Sequence, residues 1–76
     1  MNPIEVAVQA VGGVTIASSL LNISYVATKK MVDRGMLPRT DYTGETNYAE
    51  ILAKNSKGAF TEAWLLEQAN PKNFVA

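Results

Sequence analysis

The chain has 76 residues, no cysteine and no histidine, and its seven Lys and Arg balance seven Asp and Glu. That composition excludes disulfide staples, thiolate or imidazole metal sites, the common haem ligands and Cys- or His-based nucleophilic catalysis. Without such staples, a chain this small is expected to gain stability from a partner or a bilayer, and its zero net charge supplies no overall field toward nucleic acid or acidic lipid.

The charges are unevenly placed. Residues 6–28 carry none, whereas thirteen of the fourteen lie from Lys29 onward. As one helix, residues 6–28 would be about 34 Å long, enough to cross a hydrocarbon core of about 30 Å with slight tilt. Asn2 suits the N-cap of such a helix, Pro3 its first turn and Glu5 the positive end of its dipole. At the other end Tyr25, Lys29 and Lys30 are placed as membrane-interface residues. Lys29, Lys30, Arg34 and Arg39 follow the run and no Lys or Arg precedes it. The positive-inside rule then puts the N-terminus on the outer or lumenal side and the C-terminus on the cytoplasmic, stromal or matrix side. Two other readings stay open. The run could be a buried core helix, since Gln9, Thr15, Ser18, Ser19, Asn22 and Ser24 interrupt it, with Gly12 and Gly13 near its centre. A signal peptide fits less well, because no cation opens the chain.

Around such a helix, Thr15, Ser18, Ser19 and Asn22 fall within one arc of about 100°. With Gly12, these small and hydroxyl-bearing residues make a candidate helix–helix packing face. Gly13 and Ala17 add a small-xxx-small pair. An amide at membrane depth needs a partner, so Asn22 is expected to face protein or a cofactor. A sharper version makes Asn22 or Gln9 an oxygen ligand to a pigment magnesium.

Residues 31–44 read as an extended connector broken by Gly35, Pro38 and Gly44, with Met31, Val32, Met36 and Leu37 free to touch an interface or a partner. Asn47 and Glu50 suggest a capped helix through about residue 56, stopped at Gly58. A second short helix is predicted over 60–69, ended by Asn70 and Pro71. Both are too short to be stable alone. Tyr48, Ile51, Leu52, Phe60 and Trp64 are therefore candidate partner-docking residues, Trp64 serving as anchor or closing a small core with Ile51, Leu52 and Phe60. Phe74 and Val75 offer a tail contact.

The expected fold is all-α: a transmembrane helix within 1–28, a basic-flanked connector over 29–46, and two amphipathic docking helices with a tail over 47–76. No catalytic pair, metal site, phosphate loop or basic stripe for nucleic acid is evident, so neither an enzyme nor a nucleic-acid binder is expected. The layout of short N-terminus, polar-faced span, basic flank and surface-hugging tail resembles that of small single-span accessory subunits of photosystems and respiratory complexes. The resemblance is architectural and covers the whole chain. It implies a structural subunit that stabilises or docks larger integral membrane subunits in the bilayer, a photosystem and the thylakoid being favoured. It also implies no cofactor of the chain's own beyond peripheral chlorophyll or carotenoid contacts. The competing readings are a soluble helical oligomer or viral structural protein with a buried N-terminal helix, and a membrane-bound regulatory peptide.

Overall fold

Helix α1 (Pro3–Val11) opens with a reciprocal cap, in a computed structural model that describes the backbone of residues 2–74 and the side chains of 2–72. Asn2 Oδ1 accepts the Glu5 N–H at 2.8 Å, and the Glu5 carboxylate accepts the Asn2 N–H at 3.2 Å. Two amides that the helix cannot satisfy itself are thereby paired. Asn2 Nδ2 also donates to the Val32 carbonyl at 2.8 Å, which ties the start of α1 to a segment thirty residues on.

The uncharged run does not continue as one helix. Gly12 ends α1 at φ 117°, ψ 7°, and Gly13 follows at φ 114°, ψ 176°, a region that essentially only glycine enters. The two residues turn the chain by 86° into α2 (Val14–Leu21). Asn22 then ends α2 in the left-handed region at φ 58°, ψ 43°, which a short polar side chain tolerates. After Ile23, the Ser24 hydroxyl accepts the Ala27 N–H at 3.0 Å and starts α3 (Tyr25–Arg34).

These breaks overturn the expected transmembrane helix. Among the described residues, no helix is long and apolar enough to cross a membrane. Helices α1 and α2 have the length and composition only if joined, and they are bent by 86°. Their apolar residues Ile4, Ala7, Val8, Ala17 and Leu21 are buried inside the chain's own core. The all-α class stands.

The connector is also mostly helical. Residues 31–34 complete α3, and a short α4 (Thr40–Thr43) follows Pro38. Leu37 is fully buried, and its N–H donates to the Ala69 carbonyl at 2.9 Å. Two further helices, α5 (Tyr48–Lys54) and α6 (Glu62–Gln68), lie within the ranges read from the sequence, before a 3-10 turn at Pro71–Phe74. Helix α1 packs against α2, α3, α5 and α6, and α5 packs against α2 and α6. Ala49 and Leu52 of α5, Leu65 of α6 and Ala69 just beyond it meet the α1–α3 residues in one core. The tail contact expected of Phe74 and Val75 lies outside the described side chains.

Asn47 precedes α5 as expected, but its side chain makes no capping bond. Asp41 caps the helix from α4 instead. One carboxylate oxygen accepts the Tyr48 N–H at 3.1 Å and the other the Ala49 N–H at 2.9 Å. Thr46 Oγ1 donates to the same group. One side chain thus fixes where α5 begins and holds α4 against it.

Candidate functional site

Helices α2 and α3 are joined by only three residues, Asn22, Ile23 and Ser24. Such a short joint leaves the pair little freedom, and what remains is removed by the seam between them. Ala17, Leu21, Met31 and Val32 are buried there and in the core beneath. The seam is also bolted by two hydroxyls: Ser18 Oγ donates to Thr28 Oγ1 at 2.7 Å, and Thr28 Oγ1 donates to the Ser24 carbonyl at 3.1 Å. Both residues are buried, and no buried side-chain polar atom among the described residues lacks a partner. Two helices on a three-residue turn, packed against each other along this seam, have the element order of a helix-turn-helix.

The first helix fixes the second so that one long face of α3 is presented outward. Thr28, Met31 and Val32 face in, and Val26, Lys29, Lys30 and Asp33 lie opposite on the helical wheel. Tyr25 and Val26 are 55% and 61% exposed, which is high for side chains of this size and leaves them unpacked at the start of the helix. Lys29 and Asp33 form an exposed pair at 3.3 Å. A pair so open to water contributes little to stability and leaves Lys29 free to exchange its partner.

The charge on this side departs from the neutral average. Four cations and one carboxylate fall within residues 25–39. Ile23, Ala27, Lys30 and Arg34 recur every three or four residues along the flank of α3, where they line an open cavity of about 670 Å³ together with Arg39. A basic stripe that the linear sequence does not show is thus assembled in space by α3 and the segment after it. The acids do not gather in the same way: among the described residues, no group of three or more is placed to hold a metal ion.

The other residues singled out in the sequence are dispersed. Ser18 is buried in the α2–α3 seam, whereas Gly12, Thr15 and Ser19 are exposed, so these residues do not form one packing face. Asn22 is the exposed turn residue and Gln9 is exposed on α1. Tyr25, Lys29 and Lys30, placed at a membrane interface by the sequence reading, stand on the outer side of α3. Leu52 is fully buried in the chain's own core, and Tyr48, Ile51 and Phe60 are half-buried against it. Trp64 is 37% exposed, its ring 5.9 Å from that of Phe60. Val26 and Arg34, also exposed on α3, are not among the site residues read from the sequence. Asn22 followed by the N-cap Ser24 is the local signal of a turn between helices that sets both on one short helix.

No protein-family model and no solved structure matches the chain. The chain is similar to the 8.4 kDa cro protein of Escherichia phage HK022, with 40% identity over 50 residues. The match spans 66% of this chain and 66% of the relative's own length. This similarity, with the broken run, overturns the photosystem or respiratory subunit, its integral membrane partners and its thylakoid location: the resemblance runs to a phage cro protein.

Proposed function

We propose that the chain is a non-catalytic DNA-binding regulator that reads duplex DNA with α3. The observation that carries this reading is the exposed outer face of α3, held by α2 through a three-residue turn. Cro proteins are among the helix-turn-helix proteins whose second helix lies in the major groove, its N-terminal residues at the base edges. In this chain those residues are Tyr25, Val26 and Lys29. Val26 offers an apolar contact suited to a thymine methyl, and Lys29 can donate to guanine O6 or N7. The Tyr25 hydroxyl is suited to a base edge or a phosphate oxygen.

The neutral total charge fits this role. Non-specific binding scales with phosphates neutralised, so a chain with few cations relies more on base contacts for its affinity. The test is selection of duplexes from a random pool by the full chain, followed by fluorescence anisotropy on the enriched sequence. Enrichment of one motif, weakened at separate base pairs by Val26→Ala and Lys29→Gln, is expected. A pool that remains random through repeated rounds, with no binding at low salt, would overturn the reading.

A further inference from the structure

We propose that a shelf of cations beside α3, formed by Lys30, Arg34, Arg39 and Lys72, is a second DNA-contact surface that holds the phosphate backbone along the wall of the groove. The inference rests on the reading of α3 as the groove-binding helix. Two open cavities, of about 670 and 500 Å³, adjoin on this side of the molecule and share Arg39 and Pro71 in their linings. The first contributes Lys30, Arg34 and Arg39, the second Arg39 and Lys72, and among the described residues no carboxylate lines either one. In a chain with as many acids as bases, a continuous lining of four cations without an acid is a marked separation of charge.

These cations are also uncommitted. Lys29 is paired with Asp33 and Lys54 with Glu50. Among the described residues, none of Lys30, Arg34, Arg39 or Lys72 has an ion pair or a side-chain hydrogen bond within the chain. Among the described residues nothing therefore employs their charge, and an external anion would meet no competing carboxylate from them.

Position selects a polyanion over a small ion. A helix with its side chains is about 10–12 Å across, and the major groove is about 12 Å wide. Whichever face of α3 enters the groove, its flanks must lie against the phosphate walls. Ala27 and Arg34 lie on one such flank, and Lys30 stands where it meets the outward face of Val26, Lys29 and Asp33. Arg39 and Lys72 carry the lining beyond the helix into the second cavity, and four cations spread over two adjoining cavities suit several phosphates rather than a single one. Phosphate contacts of this kind fix register and orientation without carrying sequence information.

The experiment measures anisotropy of the full chain on its selected duplex and on a scrambled duplex across a salt series. The variants are Arg39→Gln, Lys72→Gln and the double variant, each checked for native circular dichroism. Each lost phosphate contact is expected to lower the slope of log K against log salt by about 0.9, and to weaken both duplexes by the same factor. Lys29→Gln, on the outer face, is expected to change the preference between duplexes. An unchanged slope in the double variant, with wild-type binding intact, would overturn the shelf and leave α3 as reader. A changed sequence preference in Arg39→Gln or Lys72→Gln would overturn it too, by moving those residues to the bases. Absence of any wild-type binding would overturn both.

Discussion

The hydroxyls of Ser18 and Thr28 meet at 2.7 Å in the buried seam between α2 and α3, and they do so without leaving a polar atom unpaired. Ser18 Oγ also lies 2.8 Å from the Val14 carbonyl, and Thr28 donates to the Ser24 carbonyl. Each side chain thus has a fallback partner on its own helix when the other is removed. The bond between helices is therefore expected to contribute about 0.5–1.5 kcal/mol. Ser18→Ala and Thr28→Val should each cost about that much, and the double variant less than their sum. A double-mutant cycle by urea unfolding checks this, and strictly additive losses would show that the two hydroxyls are not coupled.

Asp41 and Asn47 make a sharper contrast. Both precede α5, and the sequence favours Asn47 as its cap, yet only Asp41 accepts the Tyr48 and Ala49 amides. Asp41→Ala is expected to cost about 1–2 kcal/mol by orphaning those donors and releasing Thr46. Asn47→Ala should cost less than about 0.5 kcal/mol, since it removes no side-chain bond at the helix start. Equal losses in denaturant melts would place the cap back on Asn47.

That contrast also marks where the sequence is legible. The Asn2 cap with Pro3 behind it, and the positions of α5 and α6, are written in neighbours a few residues apart. The cap from Asp41 spans seven residues of sequence and a change of helix, so no local pattern shows it. The fate of residues 6–28 was hidden for a different reason. A charge-free stretch has the same composition whether lipid covers it or the chain folds it onto itself. What decides is the backbone at Gly12, Gly13 and Asn22, where positive φ turns one long helix into three short ones. The candidate site shared that ambiguity: Lys29 and Lys30 flank a span in one reading and face solvent on α3 in the other.

Tyr42 links the tail end of this region to α6, its hydroxyl donating to the Leu66 carbonyl at 2.5 Å. Burial, and then the Asp41 carboxylate, raise its phenol above the ordinary 10.0. The folded chain therefore holds this proton more tightly than the unfolded chain does. The stabilisation is fully present below about pH 10 and is lost as pH rises through the raised folded value. Tyr42→Phe cannot ionise, so the loss of stability on going from about pH 9 to pH 11 should be smaller in the variant than in the wild type. Parallel stability–pH curves would mean that Tyr42 titrates alike in both states.

Asn22 tests the turn itself. It sits at φ 58° with its side chain exposed, so a substitution there changes backbone preference without opening a cavity. Glycine enters the left-handed region freely, whereas a side chain branched beyond Cβ pays about 1–2 kcal/mol to stay there. Asn22→Gly is therefore expected to remain within about 0.5 kcal/mol of the wild type, and Asn22→Leu to lose about 1–2 kcal/mol in urea unfolding. If Asn22 instead owed its place to an apolar surround, leucine would stabilise and glycine would not. The turn also sets how α3 is carried on α2. Asn22→Leu should consequently weaken DNA binding even at temperatures where the variant is fully folded, while Asn22→Gly binds as the wild type does. Full affinity in folded Asn22→Leu would mean that the conformation of this residue does not govern the presentation of α3.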